Sequence, residues 1–380
     1  MYKIIRTSTV PLSLKLFCGG LLRELSSEYE VVALSSPGPE LDDLAERDGV
    51  RTIALPMQRA IAPLHDLTTL IRLVRIFRRE RPQLVHSITP KAGLLSMMAA
   101  RISGVPVRVH TFTGLLFPTA AGLQRRLLML TDRLTCRCAT HLIAEGEGVR
   151  SDLLQYGIAK RPVVVLGHGN VRGIDLAYYD RTSEVVARAV ALRQASGLSA
   201  TAFTFVFVGR IVRDKGIDEM IEAFCALHCE GLDVQLLLVG EEEASDRISV
   251  ETRQRITDTE AIHRCGWTED VRPWYAAADA LLFPSYREGF PNVVIEAGAM
   301  GLPSIVTDIN GSREIIRDGE TGLIVPPRDA MALLEAMRTL ATDRTRAAAM
   351  GANARPLVAS RYEQGFVREQ LKQFYRSILP

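Results

Sequence analysis

Two carboxylates eight positions apart, Glu288 and Glu296, are the only acids in the stretch REGFPNVVIEAGAMGLP from Arg287 to Pro303. Carboxylates accept hydrogen bonds from hydroxyls, which suits them to sugars and riboses. The Gly-Phe-Pro-Asn between them reads as a turn, with Asn292 capping a helix that starts at Val293. The exposed N–H groups of such a helix start favour an anion. A phosphate there, with hydroxyls on either side, describes a nucleotide sugar. The same spacing also fits two unrelated acids, Glu296 supporting the helix start and Glu288 on the surface. A second stretch, FVFVGRIVRDKGIDEM, carries the complementary charge. Its strand ends at Gly209 and its helix begins near Asp218, leaving Arg210 and Lys215 in the connection. Gly209 lets the backbone approach a ligand closely. Arginine offers phosphate oxygens a planar fork and lysine a point charge. The loop suits a diphosphate, and it also reads as a solvated turn.

Both stretches need a scaffold that presents loops at the ends of strands. In open α/β sheets ligands bind outside the carboxyl ends of the strands. Apolar runs bounded by turn residues alternate with helical patterns along the whole chain, which argues for parallel sheets flanked by helices. YKIIRTS, EVVALSS, DGVRTIALP, QLVHSIT, PVRVHTFTG, THLIAEG and PVVVLGHG are the strands of the first half. In LHDLTTLIRLVRIFRRERP the apolar positions Leu67, Leu70, Ile71, Val74 and Phe77 recur at helical spacing. The rhythm restarts at FTFVFVG after a polar segment near 170–200. The expected architecture is α/β, with two doubly wound Rossmann-like domains facing a cleft. The first covers 1–170 and the second 171–355, and a helix over 356–380 returns to the first.

Composition narrows the class. The chain has 380 residues, 47% hydrophobic and 24% charged, as in ordinary globular proteins. No apolar run approaches the roughly 18–20 residues that span a bilayer. The N-terminus lacks the apolar core and cleavage site of a signal peptide. The six cysteines show no metal spacing and are expected as reduced thiols. Residues 1–170 hold 22 Lys+Arg against 14 Asp+Glu, a net of +8, and the remainder nets −6. Arg72, Arg75, Arg78, Arg79 and Arg81, then Arg125, Arg126, Arg133 and Arg137, lie among apolar positions on two helical segments. That pattern suits an anionic membrane surface, or a solvated helix face. Aromatics do not interleave the basic runs, so nucleic acid is not expected as a partner.

The combination of VGRIVRDKG, EGFPNVVIEA and GLPSIVTDINGSREIIRDGETGLIVPPRD resembles retaining glycosyltransferase family four, which has the GT-B fold. The likeness covers nearly the whole chain. In the first half, TVPLSLKLFCGG, HSITPKAGLLSMMAA and HTFTG resemble enzymes that build bacterial surface polysaccharides on polyprenyl-diphosphate acceptors. The resemblance implies that Gly209, Arg210 and Lys215 bind the donor diphosphate, with Arg210 and Lys215 stabilising the leaving nucleotide. It implies that Glu288 lies by the transferred sugar, with Gly289 and Phe290 offering N–H groups. Pro291, Asn292 and Val293 continue the donor site, Glu296 binds the ribose and Trp267 sits beside the base. Gly19 and Gly20 are expected as a tight turn near the phosphates, grouped with Lys91, Thr113 and Gly114 on the acceptor side. Many family members carry a histidine where this chain has Thr113. His110 lies three residues earlier, and strand alternation would put it on the opposite face from Thr113. No Asp-x-Asp occurs, so the expected chemistry uses no metal and no cofactor beyond the donor. A UDP-sugar donor, with an N-acetylhexosamine, follows from the lipid-pathway resemblance, as does a place on the inner face of the cytoplasmic membrane. An NAD-dependent dehydrogenase, a GT-B nucleotide-sugar epimerase and a non-catalytic sugar-nucleotide binder are the rival readings. AEGEGVRS and LGHGNVRG are near misses to the dinucleotide fingerprint, which leaves the two glutamates unexplained.

Overall fold

In the computed structural model, which describes residues 1–58, 62–243 and 246–379, the chain divides into two units. One is Met1–Gly173 with Gly365–Pro380, and the other is Ile174–Gln364. The first is built on seven strands: β1 (Lys3–Thr7), β2 (Glu30–Ser35), β3 (Arg51–Ala54), β4 (Leu84–Ile88), β5 (Val107–Phe112), β6 (His141–Ala144) and β7 (Val163–Val165). The second has six: β8 (Phe203–Val208), β9 (Val234–Val239), β10 (Ile262–Gly266), β11 (Ala280–Phe283), β12 (Ser304–Thr307) and β13 (Gly322–Val325). Their spatial orders are β3-β2-β1-β4-β5-β6-β7 and β10-β9-β8-β11-β12-β13. All pairings within the two sheets are parallel. Each unit is therefore a Rossmann-like α/β domain, as the sequence leads one to expect.

The strand order reverses once in each sheet, between β1 and β4 and between β8 and β11. Loops leaving neighbouring strands at such a reversal diverge and open a crevice at the carboxyl edge. The Gly209–Gly216 and Pro284–Asn292 connections leave β8 and β11, so the two chemically rich stretches meet at one switch point.

β8 is buried along its whole length, as a parallel strand covered on both faces should be. In the first sheet successive side chains serve two cores. Ile5, Val32, Leu34 and Val85 enter one, and Ile4, Val31, Ala33 and Leu84 enter the other. The second core is completed by Leu371 and Tyr375 of the last helix. The expected single helix over 356–380 is in fact two. Arg344–Tyr362 runs through Pro356, Glu363 turns extended, and Gln364–Ile378 starts anew. Arg368 and Lys372 of this last helix reach Glu24 at 2.7 and 3.0 Å, holding it on the first unit.

The segment with apolar residues at helical spacing is the helix Pro63–Glu80, as expected, but not all of those residues pack. Its buried side is Thr69, Leu73 and Phe77, whereas Leu67 and Ile71 are exposed. Leu64 on the same helix and Leu123, Leu127 and Leu130 on the helix Gly122–Cys138 are exposed as well. Helical spacing identifies an apolar stripe, but the stripe is wider than the face that packs.

Candidate active site

The crevice of the second unit is built by glycines and by ion pairs between its loops. Gly209 follows β8 with φ +148 and donates its N–H to Val239 O at 3.0 Å. Gly240 follows β9 with φ +144 and donates to Gly266 O at 2.8 Å. A Cβ on Gly240 would stand 1.8 Å from Gly209 O, so only glycine lets these backbones close up. Trp267 follows Gly266 directly, and 71% of its surface is exposed.

Beyond Gly209 the chain makes a 3₁₀ turn, Arg213–Lys215, and enters the helix Ile217–Cys229 through Gly216. Lys215 Nζ pairs with Glu288 Oε1 across the switch point, and their side chains are only 15% and 16% exposed. Ser285 Oγ donates to the same carboxylate oxygen at 2.8 Å. The Lys215 ammonium lies 5.2 Å from the centre of the Phe283 ring, a cation–π contact that helps hold it. Asp214 fastens the two loops together. Its carboxylate accepts from Arg287 Nη2 at 2.7 Å, and its carbonyl accepts from Tyr286 N at 2.9 Å. Arg210 projects from the same loop and pairs with Glu243 at 2.7 Å, both side chains largely in solvent.

The helix after the second loop is Asn292–Ala299, with Pro291 in the capping position. Asn292 is thus the first helical residue and not the cap. Pro291 has φ −73 and ψ 106, which pre-sets the turn into the helix. Gly289, Phe290 and Pro291 lie against Gly311, where a Cβ would come within 2.6 Å of Gly289 O. The Phe290 ring packs inward, edge-on to Tyr362 at 5.5 Å, so its backbone and not its ring is left for the crevice. Glu296 is buried one turn into the helix. Tyr275 OH donates to Glu296 Oε2 at 3.2 Å and to Val293 O at 3.4 Å. Sequence reasoning overlooks Ser285, Asp214, Gly240, Gly311 and Tyr275. Gly240 had a signal, standing just past a strand as Gly209 does, and Asp214 sits inside the Arg-Asp-Lys run.

In the first unit the residues expected on the acceptor side do not form one group. Pro11 starts a helix almost directly after β1, and Gly19 and Gly20 are its C-terminal stop. Gly20 N donates to Asp48 Oδ2 at 3.0 Å, and Arg368 Nη2 donates to Gly19 O at 2.9 Å. The glycine pair therefore forms the expected tight turn, about 12 Å along a helix from the carboxyl end of β1. The carboxyl ends of β1 and β4 instead bring Thr9 to Thr89, whose hydroxyls are 2.9 Å apart. Thr89 has φ +77, a strained value for a β-branched residue. Lys91 follows in the next helix, paired with Asp66 at 2.7 Å.

Thr113 and Gly114 lie past the end of β5 and border a small pocket of about 30 Å³. His110 and Asp132 border the same pocket. The expectation that His110 and Thr113 point to opposite faces fails because β5 ends at Phe112. His110 is a core residue. Its Nδ1 is 2.8 Å from Ser87 Oγ, its ring stands edge-on to Phe112, and burial pushes its pKa down to about 3. Burial alone pushes the Asp132 carboxyl up to about 7. Among the described residues no group of three or more His, Cys, Asp or Glu gathers where it could hold a metal ion, and all six cysteines are free.

Comparison with known proteins decides what this scaffold is. Residues 202–343 match the model of Glycosyl transferases group 1, and residues 17–169 match a Glycosyl transferase 4-like domain. The chain is 31% identical over 378 residues to the capsular polysaccharide biosynthesis glycosyltransferase CapM of Staphylococcus aureus, covering 99% of this chain and 97% of that one. The chain belongs to this glycosyltransferase family. A second relative is the UDP-Gal:alpha-D-GlcNAc-diphosphoundecaprenol alpha-1,3-galactosyltransferase of Escherichia coli. The glycosyltransferase described here is 24% identical to it over 324 residues, 84% of this chain and 82% of that one. The crystal structure of Anabaena HepE in complex with UDP superposes with a TM-score of 0.81 over the full length of both chains, at 20% identity. The two Rossmann-like domains of this glycosyltransferase are those of the GT-B fold.

Proposed function

We propose that this glycosyltransferase moves a sugar from a UDP-sugar to a saccharide carried on a polyprenyl diphosphate, during assembly of a cell-surface polysaccharide. The transfer retains anomeric configuration and uses no metal ion. The observation that carries this reading is the junction of Lys215 and Glu288 at the switch point of the second sheet. A cation and an acid there reach one ligand from two loops. The UDP in structures of the HepE fold, and the diphosphoundecaprenol in the name of the Escherichia coli relative, support the choice of donor and acceptor. An N-acetylhexosamine is the donor sugar of this reading.

The chemistry follows from charge. As the sugar leaves, negative charge grows on the diphosphate, and preorganised cations stabilise it most. Lys215 is already held in position by Glu288 and Phe283. Arg210 turns from Glu243 to the phosphate, which its exposure permits. Glu288 and Ser285 accept and donate hydrogen bonds to sugar hydroxyls, with the N–H groups of Gly289 and Phe290 beside them. Glu296 reads the ribose and Trp267 flanks the base. The departing phosphate takes the proton of the incoming hydroxyl on the same face, so the two glutamates are not an acid–base pair as in retaining glycosidases. Lys91, Thr113 and Gly114 serve the acceptor. The exposed leucines of the helices Pro63–Glu80 and Gly122–Cys138, with Arg72, Arg75, Arg78, Arg79, Arg125 and Arg126, rest on the anionic inner face of the cytoplasmic membrane.

Incubation with a panel of nucleotide sugars and polyprenyl-diphosphate monosaccharides tests the proposal. A lengthened glycolipid is expected. Epimerised free nucleotide sugar with no glycolipid would point to an epimerase, and binding without turnover across the panel to a non-catalytic binder.

A further inference from the structure

Four cations line one groove of the first unit. Arg133 and Arg137 come from the helix Gly122–Cys138, and Lys160 and Arg161 from the turn before β7. The groove has a volume of about 340 Å³, and its floor is Cys136 and Ile158, both buried. No carboxylate lines it, and none of the four cations forms an ion pair among the described residues. Asp132, one turn before Cys136, borders the Thr113 pocket instead.

Two of the cations are fixed in place. Arg133 donates to Gly157 O and Tyr156 O, both at 3.2 Å. Arg161 Nη1 donates to Ala139 O at 2.6 Å. Each keeps further N–H groups unused. The side chains of Arg137 and Lys160 are exposed and make no hydrogen bond within the described protein. Neighbouring Arg108 reports the local potential, since its pKa is lowered by burial and then by the charges of Arg101 and Arg161. A helix C-terminus welcomes cations, which accounts for Arg137 in its last turn. It does not account for Arg133 a turn earlier, nor for Lys160 and Arg161 on another element. Unpaired like charges held together repel one another, so a counter-anion would stabilise this arrangement.

The groove lies beside the starts of β6 and β7, whereas Thr113 and Gly114 lie past the carboxyl end of β5. It is therefore separate from the acceptor pocket. We propose that the groove is a second anion site, which takes a phosphate group between the guanidinium of Arg133, the guanidinium of Arg161 and the exposed charges of Arg137 and Lys160. Guanidinium forks match phosphate oxygens, and the apolar floor tolerates the group that bears the phosphate. A soluble phosphorylated compound and a phospholipid headgroup present the same chemistry.

The test uses the full chain and the double variant Arg137→Glu/Lys160→Glu, whose side chains support no internal contact. An unchanged melting temperature checks that the variant is folded. Binding of labelled inorganic pyrophosphate is measured by equilibrium dialysis with UDP in excess to occupy the donor site. Flotation is measured with vesicles of phosphatidylglycerol and phosphatidylcholine. Each charge-assisted contact is worth about one decade in affinity, so the parent should bind pyrophosphate at least about tenfold more tightly than the variant. That result assigns a soluble ligand. Flotation lost in the variant, without pyrophosphate binding by the parent, assigns a lipid headgroup. A parent that binds neither probe, or a variant that matches the parent on both, overturns the proposal. UDP affinity, recorded separately, reports on the donor site alone.

Discussion

Replacing Lys215 by methionine keeps most of the stem and removes the charge. Two effects follow, and they have different sizes. In the reaction, removing one preorganised donor from developing negative charge lowers turnover by about 10²–10³. In the folded state, Glu288 loses its cation and keeps only Ser285 Oγ, 2.8 Å away. Surface pairs contribute about 0–1 kcal/mol, and breaking a fully buried one costs about 3–5 kcal/mol. With side chains 15% and 16% exposed, the Lys215–Glu288 pair stands between these limits. The expected loss on Lys215→Met is about 1–3 kcal/mol. Glu288→Gln in the same background should return part of that loss, because an amide needs no counter-ion. Urea unfolding of the parent, the two single variants and the double variant gives the coupling energy, and initial rates with donor and acceptor give turnover. Additive destabilisation would show that the two side chains do not act as a pair. Parental turnover in Lys215→Met would remove Lys215 from the reaction.

Three further outcomes are expected. His110 titrates near 3 in the fold and near 6.5 when unfolded, so below pH 6.5 the unfolded chain takes up the proton first and stability falls as pH drops towards 3. Urea midpoints across that window should fall less steeply in His110→Gln, by at most about 1.4 kcal/mol per pH unit. Tyr375→Phe removes the hydroxyl that accepts from buried Arg6 Nη1 at 2.7 Å and lies 2.6 Å from His86 Nδ1. It should cost about 1–3 kcal/mol in urea unfolding, the price of a buried donor left unpaired. Leu67→Glu with Ile71→Glu, on the exposed side of their helix, should weaken flotation with anionic vesicles and leave the melting temperature within a degree or two, since neither side chain supports the core.

The parts of this molecule that can be read from sequence are those fixed by local pattern. β8 and β11 are short, predominantly apolar runs followed by glycine or proline, and their loops carry the charged residues that stand out first. Their adjacency is a different matter. Lys215 and Glu288 are 73 residues apart, and they meet only because strand order reverses between β8 and β11. Periodicity does not encode strand order. The partners of Arg210 and Lys91, Glu243 and Asp66, are hidden for the same reason. Gly19 and Gly20 announce a turn but not which end of a helix it closes, and Pro11 settles that by starting the helix almost at once after β1. Asp132 carries no signal of its own in the sequence, and only packing sets it half-buried beside Thr113. Asn292 is a good capping residue by type, yet Pro291 takes the position because its fixed backbone already makes the turn.

The most direct measurement is a crystal structure of the protein with a UDP-sugar, read at the carboxyl edge of the second sheet. The account predicts the diphosphate within hydrogen-bond distance of Lys215 Nζ and the Arg210 guanidinium, the sugar at Glu288 and the ribose at Glu296. A nucleotide sugar bound with Lys215 and Glu288 still paired to each other and neither touching it would contradict the account.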